Sequence, residues 1–177
     1  LLSDITPDAG QIRLRAQASS RDDEGLALTD VDPTSWRSAI SWVPQSPTLV
    51  PGTILDNMGD LPQRDLDEAA RATGFDAVLA TTPDGWNSTI GSGGVGLSVG
   101  QRQRLALTRA LAARSQVVVL DEPTAHLDAV SEETVVRAIH AMREEGRTVI
   151  VIAHRNAIIE VADTIIDVAH ADEEALA

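Results

Sequence analysis

The stretch VVVLDEP, residues 117–123, decides the fold. Four consecutive apolar residues, three of them β-branched, are typical of a strand buried on both faces of a parallel sheet. Two carboxylates, Asp121 and Glu122, follow at the carboxyl end of that strand. Open α/β sheets bind ligands at this end of their strands, so both acids are candidate site residues. The alternative is a pair of solvated acids in a loop.

Two more predicted strands end in polar residues. Residues 40–43 lead to Pro44-Gln45, and the apolar run 148–152 leads to Ala153-His154. The amphipathic pattern over 129–144 places a helix between the last two strands. This alternation predicts right-handed crossovers and a parallel α/β sheet. We therefore expect His154 over the same sheet edge as the acidic pair, although a lone histidine is more often a core residue and Gln45 alone is merely a turn residue.

The middle of the chain predicts helices rather than strands. The pattern is helical over 53–79, with breaks near Leu61-Pro62 and Gly74, and again over 99–114. We interpret 53–113 as an inserted helical subdomain, and 1–52 with 114–170 as the α/β core of one partial domain spanning 1–177. The minor predictions are a strand at 11–15, an irregular stretch at 16–30, a loop at 81–96, a buried strand at 148–152, a last strand at 164–168, and short helices opening at Asp32-Pro33 and Asn156.

The long helix at 99–114 opens with LSVGQ, residues 97–101. Ser98 with Gln101 three residues later fits a capping box, which is a purely structural explanation. The functional alternative is that this amino terminus presents free N–H groups to a phosphate. Ser98 and Gly100 are then candidate phosphate contacts.

Composition excludes several classes of protein. The net charge of −13 argues against nucleic-acid binding and gives no support for docking on anionic lipid. With no cysteine, disulfides and thiolate metal sites are absent. The apolar runs are too short to cross a bilayer, and Leu1-Leu2-Ser3-Asp4 is no secretory signal. Because the sequence has no initiator Met, we expect it to begin inside a larger open reading frame.

The order of these motifs resembles the ATP-binding cassettes of ABC transporters. In that family Gln45 corresponds to the Q-loop and residues 97–101 to the signature. Asp121-Glu122 corresponds to Walker B, residues 125–128 to the D-loop, and His154 to the H-loop. The resemblance covers essentially the whole chain. It implies a P-loop NTPase-like (RecA-like) α/β fold with its amino-terminal part missing.

The resemblance also implies cofactors, partners and residue roles. ATP and Mg²⁺ are implied, with Asp121 and Gln45 near the metal and Glu122 as general base. His154 would contact the γ-phosphate. The other implied contacts reach the nucleotide of a second cassette in a homo- or heterodimer: Ser98, Gly100, Gln101 and Asp128. Fused transmembrane domains would place the cassette at the cytoplasmic face of the membrane.

Residues 42–57 resemble exporter cassettes, where Pro-Gln-x-x-x-Leu-Phe-x-Gly-Thr-Ile-x-x-Asn is common. Residues 92–104 with 126–128 resemble heterodimeric thiol exporters of cytochrome bd assembly. Two departures stand out: Val99 replaces the first glycine of Leu-Ser-Gly-Gly-Gln, and with no lysine the chain has no Gly-x-x-x-x-Gly-Lys-Ser/Thr loop. We therefore expect the isolated chain to bind ATP poorly and hydrolyse little.

Three other functions compete with this prediction. A chromosome-maintenance ATPase would need a long coiled-coil insertion between Gln45 and Leu97, and that interval is short. A translation-factor ATPase would carry basic segments facing the ribosome, which the acidic composition does not support. A non-catalytic cassette that only dimerises is the strongest rival. Glu122 discriminates against it, because degenerate sites often lose the base.

Overall fold

The computed structural model describes residues 10–15, 24–94, 96–125 and 129–168, without the side chains of 129–131. The strands are β1 (Arg13–Leu14), β2 (Leu26–Ala27), β3 (Ile40–Val43), β4 (Gly52–Thr53), β5 (Thr89–Ile90), β6 (Val117–Asp121) and β7 (Thr148–Ile152). The α-helices are α1 (Pro33–Ala39), α2 (Gln63–Thr73), α3 (Asp76–Leu79), α4 (Val99–Ala112), α5 (Ala129–Glu144) and α6 (Asn156–Ile159). Short 3-10 turns cover Leu28–Asp30, Leu55–Met58, Gly85–Asn87 and Ser92–Gly94.

The central element is a parallel sheet in the order β3-β6-β7. Val43 pairs with Leu120, and Leu120 pairs with Val151, so all three strands run the same way in register. Val118 and Leu120 of the middle strand are completely buried. The predicted parallel α/β sheet and the strand at 117–120 are therefore confirmed.

The prediction that 148–152 is a buried strand is wrong in one respect. β7 forms as expected, but its residues are half-buried or exposed, and Ile152 is 49% exposed. Within the described ranges β7 has a neighbour on one side only, which is β6. An edge strand with β-branched residues can therefore carry the same sequence pattern as a central one.

The helices between β3 and β6 pack as one layer. α2 lies against α4, and both contact α5. Their shared interior includes the fully buried side chains Leu66, Phe75, Leu105 and Leu107. Helix α2 ends at Thr73, and the next residue, Gly74, has a φ of +66°, the left-handed conformation that glycine adopts without strain. The predicted breaks at Pro62 and Gly74 are confirmed, whereas the subdomain boundaries at 53 and 113 remain a prediction.

Several local predictions are wrong. Thr53, predicted to begin a helical segment, lies in β4. β4 pairs antiparallel with β5, and β5 lies inside the segment 81–96 that was predicted as a loop. β2, inside the stretch predicted as irregular, pairs with β1. Both ladders have two residues per strand, too short for hydrophobic alternation to reveal. The predicted strand at 164–168 is irregular and exposed, because strand propensity needs a neighbouring ladder, and no described strand lies beside it.

Two predicted helix starts are confirmed. Asp32 is the N-cap of α1, its carboxylate accepting the Ser35 N–H at 2.8 Å, and Pro33 opens the helix. Proline is tolerated there because a first-turn N–H has no helical partner. α6 begins at Asn156 as predicted.

Candidate functional site

Three predicted site residues meet at the carboxyl edge of the sheet. Gln45 follows β3, Glu122 follows β6 and His154 follows β7. Gln45 Nε2 donates to Glu122 Oε2 at 2.7 Å, and His154 Nε2 lies 3.5 Å from Glu122 Oε1. Parallel strands end at a common edge, which explains how residues so far apart in sequence converge on one carboxylate. The expected proximity of His154 to the acidic pair is confirmed, the direct contact between Gln45 and Glu122 is an addition by the structure, and the chemical roles of all three remain predictions.

Glu122 has an unusual backbone. Its φ is +43°, a left-handed conformation that costs a non-glycine residue about 1–2 kcal/mol. The next residue is Pro123, which itself favours an extended conformation at the preceding position. Two backbone hydrogen bonds hold this turn: Glu122 N–H donates to Ile152 O at 2.8 Å, and Ala125 N–H donates to Glu122 O at 2.9 Å. The sheet and the turn thus fix the direction of the Glu122 side chain.

The environment of Glu122 suits a proton acceptor. Its side chain is 33% exposed, so water reaches the carboxylate. Gln45 supplies a neutral donor, which orients the carboxylate without placing a cation beside it. The His154 side chain is 83% exposed, so any charged contact with Glu122 is well screened and worth little stability. A carboxylate that is oriented, hydrated and accessible can accept a proton from water.

Asp121 is the last residue of β6 and is half-buried. Side chains alternate along a strand, so Asp121 and Leu120 point to opposite faces. Within the described ranges no group of three or more His, Asp or Glu side chains is close enough to bind a metal. Mg²⁺ takes few protein carboxylates and completes its shell with phosphate oxygens and water. Asp121 fits that type of site, where most ligands come from nucleotide and solvent.

The amino terminus of α4 has the predicted capping box. Ser98 Oγ accepts the Gln101 N–H at 3.2 Å, and Gln101 Oε1 accepts the Ser98 N–H at 2.8 Å. In this arrangement the Ser98 hydroxyl uses an acceptor lone pair and keeps its own proton to donate. The N–H groups of Val99 and Gly100 have no helical acceptor. Capping and phosphate binding are therefore compatible, and the phosphate contact remains a prediction.

Val99 occupies the position of the first signature glycine. Its side chain is 51% exposed, at the first residue of α4. It adds a branched apolar group to the surface beside the two free N–H groups. A glycine at this position would present no side chain beside these N–H groups.

The α4 terminus and the sheet-edge cluster are separate in the structure. Within the described ranges no hydrogen bond or ion pair joins residues 98–101 to Gln45, Glu122 or His154. That the two groups serve different nucleotides remains a prediction. Asp128, the remaining predicted site residue, lies outside the described residues.

Asn57 is a structural determinant of the site that the sequence argument did not single out. It is 6% exposed, and its side chain holds the loop after Gln45. Asn57 Oδ1 accepts the Val50 N–H at 2.8 Å, and Nδ2 donates to Val50 O and Thr53 O, both at 3.0 Å. The signal was present, because the exporter pattern quoted above ends at this asparagine.

Fold and site together define the class as a P-loop NTPase-like α/β domain, and comparison with known proteins gives the family. Residues 1–125 match the family described as "ABC transporter". The chain is 36% identical over 170 residues to the ABC-type transporter atr1 of Mycosarcoma maydis, covering 91% of this chain and 12% of that protein. It is 40% identical over 147 residues to the ABC multidrug transporter MDR5 of Trichophyton rubrum, covering 80% and 11%.

A solved structure of a bacterial Atm1-family ABC exporter with ATP bound superposes with a TM-score of 0.70 at 32% identity. That superposition covers 78% of this chain and 25% of the exporter chain. The chain belongs to the ABC transporter family, as the resemblance predicted, and matches the nucleotide-binding cassette of exporters. It spans only about a tenth of the length of the curated relatives. Within the described ranges no helix is long and apolar enough to span a membrane.

Proposed function

We propose that this chain is the carboxyl-terminal part of an exporter cassette that couples ATP binding and hydrolysis to transport across a membrane. The observation that carries the proposal is the convergence of Gln45 and His154 on Glu122 at the carboxyl edge of a parallel sheet. A pair of solvated acids in a loop does not explain why an amide donor and a histidine, each from an adjacent strand, lie against one carboxylate. The arrangement supports chemistry at a phosphate better than a purely structural role does.

Glu122 acts as the general base that takes a proton from the hydrolytic water. Gln45 orients its carboxylate, and His154 is exposed enough to turn toward the γ-phosphate of ATP. Asp121 and Gln45 contribute to the Mg²⁺ site. When bound, Mg²⁺ neutralises developing charge on the phosphates.

The α4 terminus serves the nucleotide of a second cassette. Ser98 donates its hydroxyl proton, and the free N–H groups of Val99 and Gly100 point at the phosphate, while Gln101 holds the serine through the capping box. Asp128 belongs to the same dimer interface. The partner is a second cassette, and transmembrane domains place both at the cytoplasmic face of the membrane. The resemblance to thiol exporters makes a heterodimer the partnership to test first.

The 177-residue chain alone is expected to hydrolyse little ATP. It contains no Gly-x-x-x-x-Gly-Lys-Ser/Thr loop, which supplies most of the grip on the phosphates in P-loop NTPases. A cassette that only dimerises is the alternative, and this missing loop is the observation that favours it. The two functions differ in whether the cassette hydrolyses ATP once a phosphate loop is available.

The first experiment is to read the coding sequence upstream of Leu1 in the same frame. If it encodes the phosphate loop, we would measure Mg-ATP turnover in the protein that contains both parts, comparing wild type with Glu122→Gln. Glu68→Gln, which alters an exposed acid on α2, is the matched control. We expect Glu122→Gln to abolish turnover and the control to retain it. Turnover that survives Glu122→Gln would refute the assigned base, whereas a wild-type protein that contains the phosphate loop and shows no turnover would favour the non-catalytic cassette.

A further inference from the structure

The loop that leads into α4 is closed by a side chain from the helix itself. Arg102 Nη1 donates to Leu97 O at 2.7 Å, and this carbonyl belongs to the peptide bond that ends at the Ser98 nitrogen. Two turns precede it, with Gly94 N–H donating to Gly91 O and Leu97 N–H donating to Gly94 O, both at 3.0 Å. The guanidinium therefore fixes the last peptide before the capping serine.

The aliphatic part of the Arg102 side chain packs against Gly94. This glycine is buried and has a φ of +79°. A Cβ at position 94 would lie 2.6 Å from Arg102 Cδ and 2.9 Å from Leu49 Cδ1. The arginine stem thus lies directly against the Gly94 backbone, with Leu49 also in contact. Only glycine leaves room for this packing.

The same contacts reach the loop that carries Gln45. Leu49 is 2% exposed, and its carbonyl accepts the Gly93 N–H at 3.2 Å. Leu49 lies four positions after Gln45 in the sequence. A continuous set of contacts therefore runs from the Gln45 loop through residues 93–94 to Arg102 and the α4 terminus.

The position of Arg102, in the first turn of α4, is electrostatically unfavourable for a cation. A cation near a helix amino terminus opposes the helix dipole, which favours negative charge there. Arg102 nevertheless directs its guanidinium back to the carbonyl that precedes the helix. The position of Arg102 is better explained by its hydrogen bond to the Leu97 carbonyl than by stabilisation of the helix.

We propose that Arg102, acting through the Leu97 carbonyl and against Gly94, is a positioning residue for Ser98. It sets the orientation of the Ser98 hydroxyl and of the free N–H groups that follow. The relevance to nucleotide rests on the proposed function, but the positioning itself is a property of this chain. Arg102 touches neither Glu122 nor the reacting atoms, so its effect is indirect.

The test is hydrogen exchange of the Ser98 and Gln101 amides, the two donors of the capping box, in the 177-residue chain. Arg102→Met keeps the apolar stem and removes the donor, and Arg102→Lys restores a donor. Arg109→Met is the matched control, because Arg109 lies on the same helix but donates to Asn57 O at 3.3 Å. Arg102→Met removes a charged hydrogen bond, and we expect this loss to raise exchange at these two amides about tenfold.

We expect Arg102→Lys to recover most of the protection. Arg109→Met should leave the capping-box amides unchanged, and amides in β6 should stay protected in all three variants. Unchanged exchange in Arg102→Met, or no recovery in Arg102→Lys, would overturn the proposal. A uniform rise that includes β6 would also overturn it, since that describes a general stabilising residue.

A second experiment distinguishes failure of this proposal from failure of the proposed function. Wild-type chain is mixed with Mg-ATP and a hydrolysis-deficient exporter cassette that has its own phosphate loop, and exchange at Val99 and Gly100 is followed. Slower exchange supports the nucleotide contact of the proposed function, on which the relevance of the positioning role to nucleotide rests. If these two amides do not respond while the Arg102 variants behave as expected, the nucleotide contact fails and the positioning role stands.

Discussion

Gln45 Nε2 and Glu122 Oε2 are 2.7 Å apart and join β3 and β6 where both strands end. Replacing Gln45 by glutamate would place a second carboxylate against Glu122. At neutral pH the two charges repel, so Gln45→Glu should lower the free energy of unfolding by about 1 kcal/mol relative to Gln45→Ala. Urea unfolding of both variants at pH 7 measures this difference.

The sign of the pH dependence follows from the same pair. Like charges raise carboxyl pKa values in the folded state above those in the unfolded chain, so the folded variant binds more protons. The destabilisation should therefore shrink as pH falls from 7 toward 4. If Gln45→Glu and Gln45→Ala are equally stable at pH 7, the two side chains are not in contact in solution.

The positive φ of Glu122 predicts an unusual effect of glycine. Glu122→Gly should be more stable than Glu122→Ala by about 1 kcal/mol, because glycine adopts φ of +43° without the steric cost of a Cβ. Chemical unfolding of the two variants gives the difference directly.

Asp121 is the control for that comparison, since it is an adjacent acid in the extended strand β6. There the usual order should hold, with Asp121→Gly less stable than Asp121→Ala. The same order at both positions would mean that Glu122 does not keep its left-handed conformation in solution.

Asp56 should titrate at an unusually low pH. The Thr53 N–H donates to Asp56 Oδ2 at 2.7 Å, and this hydrogen bond lowers the pKa of the carboxyl below its ordinary value of 3.8. Because the pKa of Asp56 is lower in the folded chain than in the unfolded chain, the ionised carboxylate stabilises the fold at pH values above the unfolded pKa. This stability is lost as the pH falls through the folded pKa. The expected window thus lies below about pH 4, and carboxyl chemical shifts of Asp56 followed by NMR should show it.

Thr53→Val is the control variant for Asp56. It retains the Thr53 N–H but removes the hydroxyl, which also lowers the pKa of Asp56. The pKa of Asp56 should therefore rise in this variant and still remain below its ordinary value. A midpoint at or above 3.8 in the wild-type chain would rule out the Thr53–Asp56 turn in solution.

The sequence predicted the sheet better than the smaller ladders, and the reason is the length of each pattern. Five consecutive apolar or β-branched residues mark β7, and the run before Asp121 marks β6. β4 and β5 pair over two residues each, so their pairing depends on contacts that no local pattern records. The exposed segment 164–168 shows the reverse case, where a local strand pattern exists without a neighbouring ladder.

The same distinction holds for the site. The strand ends were sufficient to expect His154 near the acidic pair, because parallel strands end at one edge, whereas the place of β3 beside β6, which brings Gln45 to Glu122, came from the structure. The left-handed turn at Glu122 could not be predicted, since glutamate before proline favours an extended backbone. The contact between Arg102 and Gly94 was also hidden, because it depends on how a glycine-rich loop folds back over the helix.

Thr73 and Thr108 connect α2 and α4 through a buried hydroxyl pair. Their Oγ1 atoms are 2.6 Å apart, and both residues are fully buried. Each hydroxyl also reaches a carbonyl of its own helix, Ala69 O at 2.9 Å for Thr73 and Arg104 O at 2.7 Å for Thr108. Thr73→Val or Thr108→Val should each lower the free energy of unfolding by about 1–2 kcal/mol, because one buried hydroxyl then loses its partner across the interface. The double variant should lose less than the sum of the two, by about 1 kcal/mol, because either single variant already removes the one hydrogen bond between the two hydroxyls. Urea unfolding of the four proteins in this cycle measures the coupling, and strictly additive losses would show that the two hydroxyls do not interact.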